Sequence, residues 1–271
     1  ELGRNSRGRA IVNLLKLDKD EQILDCIAIR DFDMPDHCLM MATRSGLVKK
    51  TPLSAYSRPK RGGIKAIKLR DDDELVDMVL CKTGDEVVIS TSDGMAVRFR
   101  ESDARPMGRD TSGVKGISLS SGDTLVGMVV ADPEATLLTI CENGFGKRTL
   151  FGPHADDASD DETSSAARYR TQKRGGKGIR GIRTSKRNGK VVATVRVDDN
   201  DEIVMMSRLG QIQRIEVTDI STIGRNTQGV RIMRLDDDDL LAAVVRVPPE
   251  QENGNGEQEV AGEEDNPGAD G

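Results

Sequence analysis

Gln172-Lys173-Arg174-Gly175-Gly176-Lys177-Gly178-Ile179-Arg180-Gly181-Ile182 is the stretch from which the fold is read. Its first seven residues hold three cations and three glycines. Glycine lets the backbone turn sharply and come close to a ligand without a side chain in the way. Arginine offers a planar fork and lysine a mobile charge, and both suit a phosphate backbone. Alone, such a turn is equally a solvated basic loop. Its last five residues, however, follow the order glycine, apolar, basic, any, apolar, and that order recurs. It returns at Gly63-Ile64-Lys65-Ala66-Ile67, at Gly113-Val114-Lys115-Gly116-Ile117, at Gly229-Val230-Arg231-Ile232-Met233 and, more loosely, at Gly8-Arg9-Ala10-Ile11-Val12. An arginine stands four residues before the glycine in four copies, as Arg4, Arg109, Arg174 and Arg225.

A second segment alternates with the first. An apolar run leads to a glycine, and a basic residue follows four positions later. The copies end in Gly46 and Lys50, Gly94 and Arg98, Gly144 and Arg148, and Gly210 and Arg214. Short apolar arms on both sides of a glycine turn read as a β-hairpin. The first-kind glycines lie 55, 50, 65 and 51 residues apart. The long interval contains the polar, acidic stretch 151–168, read as an inserted loop. A period near 50 with about four short strands per unit predicts a β-propeller. No segment sustains the 3.6-residue period of a helix. Between paired segments come acidic runs, Asp71 to Glu74 and Asp236 to Asp239. They lack calcium-loop spacing and read as solvated turns leading into the strands Leu75 to Leu80 and Leu240 to Val247.

Composition narrows the function. The 271 residues carry a net charge of −6, but eight acidic residues and no basic ones lie between Glu250 and Gly271. With those eight set aside, 40 basic residues face 38 acidic ones. The body, residues 1–247, is near neutral, and 248–271 read as a disordered acidic tail. Repeated cations at one phase of a radial repeat would fall on one rim and form a positive track. Two Tyr, four Phe and no Trp argue against binding by base stacking. Cys26, Cys38, Cys81 and Cys141 are scattered, which supports neither a metal site nor a disulfide framework. His37 and His154 lack the company of a nucleophile or metal ligands. No apolar run is long enough to span a membrane. A start at Glu1 rather than methionine reads as a piece of a longer chain.

These residues resemble the C-terminal domain of the DNA gyrase A subunit. Gln172 to Gly178 is similar to the family's glutamine-basic-basic-glycine-glycine-any-glycine box, with Lys173 where the family has arginine. Arg7 to Leu14, Ala66 to Leu69, Gly144 to Thr149 and Gly224 to Val230 match as well, and the likeness covers all but the acidic tail. The resemblance implies a six-bladed, propeller-like β-pinwheel whose basic outer rim wraps duplex DNA. In the holoenzyme, with the rest of gyrase A and gyrase B as an A2B2 complex, the wrap directs ATP-dependent strand passage toward negative supercoils. It implies a bacterial cytoplasmic location, and no catalytic site or cofactor in this piece, with ATP and Mg2+ acting elsewhere. Neither Tyr56 nor Tyr169 sits in anything like the family's cleavage motif. The family's box lies in its first blade, whereas here the similar heptapeptide comes late. The expectation is therefore that a true box and about one blade of strands precede Glu1, and that the piece alone is monomeric.

The phosphate ligands expected on this reading are Arg4, Arg9, Lys50, Lys65, Arg98, Arg109, Lys115, Arg148, Lys173, Arg174, Lys177, Arg180, Arg214, Arg225 and Arg231. Two alternatives stay open. One is the corresponding domain of topoisomerase IV, and the other is a propeller that binds proteins rather than DNA.

Overall fold

The computed structural model describes residues 23–24, 26–60, 63–154 and 167–249. Arg4, Arg9, the loose repeat at 8–12, the centre of the inserted loop and the acidic tail lie outside the described residues. Within them are fifteen strands and no α-helix. In chain order they are β1 (His37–Thr43), β2 (Leu47–Pro52), β3 (Leu75–Lys82), β4 (Glu86–Thr91) and β5 (Met95–Arg100). Then come β6 (Val114–Lys115), β7 (Leu125–Val130), β8 (Thr136–Cys141), β9 (Phe145–Leu150) and β10 (Ile179–Arg180). The last five are β11 (Val191–Val197), β12 (Glu202–Ser207), β13 (Ile212–Glu216), β14 (Val230–Arg231) and β15 (Leu241–Val247).

The four second-kind segments are four hairpins: β1–β2, β4–β5, β8–β9 and β12–β13. Each turn ends on a glycine at positive φ, between +75° and +93°. The glycine N–H donates to the last residue of the first strand, as Gly46 does to the Thr43 carbonyl at 2.9 Å. A short hairpin loop with its last residue left-handed is a favoured closure, and it is why glycine stands at that one position.

Each hairpin gains a third strand from the sequence just beyond it. β3 joins β1, β7 joins β4, β11 joins β8 and β15 joins β12, all antiparallel. These third strands touch in series, β3 to β7, β7 to β11 and β11 to β15, so they form the hub side of a radial array. The opposite edge is filled by exchange. β6, which follows hairpin β4–β5, pairs with β2 of the blade before it. β10 pairs likewise with β5 and β14 with β9. Three described copies of the first-kind segment are thus rim strands donated backward by one blade. The fourth sheet, β13-β12-β15, has three strands among the described residues.

Interior strands are buried on both faces, and this explains their unbroken apolar runs. Val87 and Ile89 on β4 enter the core shared with Met40 and Val48 of the first blade. Val88, pointing the other way, packs with Leu137 and Tyr169 of the third. Leu138 and Ile140 on β8 meet Ile203 and Met205 of the fourth. Each such side chain contributes about 1.5–3 kcal/mol on burial.

The acidic runs correct one expectation. Asp71, Asp72 and Asp236 to Asp238 are not buried, but the residue after each tip turns inward. Asp73 accepts from the Ser45 N–H at 2.9 Å and from its hydroxyl at 2.5 Å. Asp239 accepts from the Leu209 N–H at 3.1 Å. Asp123 does the same for the second hairpin, accepting from the Ser92 hydroxyl and the Asp93 N–H at 2.9 Å each. These carboxylates are caps on the hairpin turns. Burial works to raise the Asp73 carboxyl, yet the hydrogen bonds from Ser45 and Thr43 outweigh it and hold it below the usual carboxylate range.

Candidate nucleic-acid interface

The rim strands carry exposed cations at one repeated place. Lys115 stands opposite Leu47, Arg180 opposite Met95 and Arg231 opposite Phe145, each time at the first residue of the hairpin's second strand. All three cations are exposed. The glycine that begins each rim strand allows this placement. A Cβ at Gly229 would lie 2.7 Å from the Gly146 carbonyl oxygen, and one at Gly113 would lie 2.5 Å from that of Val48. Only glycine lets the rim strand lie this close to the hairpin. Lys65, in the Gly63 copy, is exposed too, but no strand forms there among the described residues.

Neighbouring rim turns are hydrogen-bonded to one another and make a belt. The box-like heptapeptide is one link. The Gly175 N–H donates to Gly116 at 2.6 Å, and Ser118 donates back to Gly176 through its N–H and to Gly175 through its hydroxyl, each at 2.8 Å. Arg174 reaches the Asp103 and Lys115 carbonyls at 2.7 and 2.8 Å. The next link repeats this: Arg225 donates to the Arg180 carbonyl at 3.1 Å, and the Arg183 N–H to Thr227 at 2.8 Å. Arg174 and Arg225, half-buried, therefore latch adjacent blades. Of the two lysines beside Arg174, Lys173 and Lys177, both reach solvent. Arg109, at the matching place one blade earlier, is half-buried as well.

The basic residues at the end of the second-kind segments behave differently, and here the expected ligand set needs correction. Arg98 is 1 % exposed. It pairs with Glu86 at 2.6 Å and donates to the carbonyls of Phe151, Gly152 and Tyr169. Burial lowers its pKa while Glu86 opposes the shift. No phosphate can reach it. Arg148, also buried, pairs with Asp199 and donates to the Ile220 carbonyl at 2.8 Å. Lys50 is paired with Glu101, and Arg214 with Glu202. Arg98, Arg148 and Lys50 are thus held in the fold against acids instead of lining the track, whereas the Arg214 side chain stays largely exposed beside Glu202.

Two lysines that the repeat pattern did not single out are buried beneath the belt. Lys49 donates to the carbonyls of Ala66, at 2.5 Å, and Arg109. Lys147 donates to those of Gly224 and Arg225, both at 2.5 Å. Each holds a turn that carries a half-buried arginine, Arg109 or Arg225. Burial is the main cause of their lowered pKa values, about 8 for Lys49 and about 7 for Lys147.

Sequence reasoning also missed the loop Arg183-Thr184-Ser185-Lys186-Arg187-Asn188-Gly189-Lys190, which places four solvent-exposed cations beside the rim. Asn188 is fully buried and fixes it. Its Oδ1 accepts from Ser185, and its Nδ2 donates to the Arg183 and Gln228 carbonyls. Asn143 donates to the Lys186 and Arg187 carbonyls at 3.2 Å each. Four cations around an Asn-Gly turn were the available signal, but they fall outside both repeat patterns.

Among the described residues no group of three acidic, His or Cys side chains converges as a metal site, and no helix is long and apolar enough to cross a membrane. Tyr56 and Tyr169 are buried, and burial pushes Tyr169 up to about 12.

This arrangement matches known proteins. The family model described as "DNA gyrase C-terminal domain, beta-propeller" matches residues 1–30, 39–82, 85–132, 164–198 and 201–248. The DNA gyrase A protein of Staphylococcus aureus is 40 % identical over 261 residues, covering 96 % of this chain and 28 % of that protein. That of Salmonella typhimurium is 38 % identical over 247 residues, covering 91 % and 26 %. The chain thus spans about a quarter of these relatives' length. A solved DNA gyrase A C-terminal domain superposes with a TM-score of 0.73 at 26 % identity, covering 89 % of this chain and 76 % of the other. With most of its length matched and its rim strands in place, the chain belongs to the DNA gyrase C-terminal domain family of β-propellers.

Proposed function

We propose that this chain binds duplex DNA along its rim belt and bends it around the blades. Within a whole gyrase, it would bias ATP-dependent strand passage toward negative supercoils. The observation that carries the reading is the recurrence of Lys115, Arg180 and Arg231 at one register position, exposed, on a belt that joins blade to blade. The ligand set after correction is Lys65, Lys115, Lys173, Lys177, Arg180, Arg214 and Arg231, with Arg183, Lys186 and Arg187 added. Contacts of this kind displace counterions from phosphates irrespective of base sequence. Bending a 20–30 bp arc costs on the order of 1–6 kcal/mol, so several blades must act together. ATP and Mg2+ have no part in this step. They would act in the remainder of an A2B2 enzyme.

The likeness to topoisomerase IV is as good in shape, a TM-score of 0.77 at 26 % identity over 89 % of this chain. The 40 % identity to a gyrase A protein favours the gyrase assignment.

Affinity for short linear duplexes is measured over a salt series, together with the linking number of plasmid ligated in the protein's presence. Steep loss of affinity with salt and a shifted linking number are expected. Binding without a topology shift would remove the wrap and leave the rim. No binding at the lowest salt would overturn the rim.

A further inference from the structure

Phe145 begins β9 and is 3 % exposed. Two guanidiniums lie against its ring. Arg231, its cross-strand partner on β14, is 5.2 Å from the ring centroid, and Arg187, from the Asn188-locked loop, is 4.9 Å from it. Their central carbons are therefore no more than about 10 Å apart. Neither guanidinium has a carboxylate within ion-pair distance among the described residues. Lys190, from the same loop, is instead paired with Asp93 at 3.4 Å.

The other blades provide an internal comparison. The residue opposite the rim cation is Leu47 in the first blade and Met95 in the second. An aliphatic chain there fills space but offers no face to a cation. An aromatic face attracts a guanidinium through its negative quadrupole and orients its plane. Two like charges gathered on one buried ring, without an acid to neutralise them, are poised for an anion from outside.

We propose that Arg187 and Arg231 form a two-guanidinium clamp on the phosphodiester backbone, and that Phe145 is the positioning residue that holds them. The proposal rests on the DNA-rim reading and adds to it a strongest contact, located in the third blade. The clamp binds whichever phosphates the bent duplex brings past, so it fixes the path of the DNA without reading its sequence.

The test uses the full chain, a short linear duplex of random sequence and a salt series. Arg187→Ala and Arg231→Ala should each lower the slope of log affinity against log salt by about one, the signature of one lost phosphate contact. Lys190→Ala should leave the slope unchanged. Phe145→Leu, which installs the first blade's own residue, should weaken binding several-fold although no charge is lost. Phe145→Tyr, which keeps the ring, should restore it. In the Phe145→Leu background, Arg187→Ala should cost less affinity than in the parent. Wild-type affinity for Phe145→Leu in folded protein, or full additivity of the two changes, would overturn the clamp while leaving the rim intact. Failure of the parent chain to bind the duplex at the lowest salt would overturn the rim reading and the clamp with it.

Discussion

Arg98 and Lys115 look alike in the repeat pattern, each a cation near a glycine turn, yet they do opposite work. Arg98 neutralises Glu86, itself 2 % exposed. Arg98→Met would remove that carboxylate's charge partner, leaving it the Thr171 hydroxyl and His154, and breaking a buried pair from one side costs about 3–5 kcal/mol. The denaturant midpoint should fall accordingly and recover in part in Arg98→Met/Glu86→Gln, whereas Lys115→Ala should leave it unchanged. The distinction was illegible in the sequence. Strands buried on both faces show no polar alternation, so a charge does not reveal which way it points. Its acid partner, moreover, lies across the sheet or in another loop. Lys147 offers a second test through pH. Its folded pKa of about 7 lies below the ordinary 10.5. Between those values the unfolded chain binds more protons than the folded one, so this group makes stability rise with pH. The rise in denaturant midpoint between neutral and mildly alkaline pH should be smaller in Lys147→Met, with Lys49 providing what remains.

Hairpins were the most legible elements. An apolar run, a glycine and a basic residue at fixed spacing are set by local turn chemistry, and all four such segments became hairpins. Asp123 tests how those turns are held. Its carboxylate caps three donors, the Ser92 hydroxyl and the Asp93 and Thr124 N–H groups. Asp123→Ala leaves buried donors unpaired and should cost about 1–3 kcal/mol, read as a lower denaturant midpoint. The rim strands were legible as motifs but not as to partner. Two residues hold too little pattern to specify a register, and what places them is the glycine's fit to a carbonyl of the preceding blade. The belt arises from that docking, so only the structure shows it, and only the structure places the cationic loop at 183–190 beside it.

At the scale of the molecule, the radial repeat and its basic phase followed from period and spacing. Six blades are what the resemblance implied, and four sheets lie among the described residues. Exchange of strands makes these sheets interdependent. A cut between 155 and 166 would leave β10 on the second sheet, and β11 and β14 on the third, all paired with strands before the cut. A protease site inserted there should, once cleaved, yield two pieces that co-elute under native conditions and separate only in denaturant. Dissociation on cleavage would show that the exchanged strands contribute little.

The backward gift of one strand also bears on how such a chain can change length over generations. If a gene lost the stretch from one hairpin to the next, the following repeat's rim strand would meet the vacated edge of the preceding hairpin, which accepts the same glycine-led motif. No edge would be orphaned in the middle. Blade number can therefore drift by whole repeats while the belt, and the spacing of its cations, stays continuous.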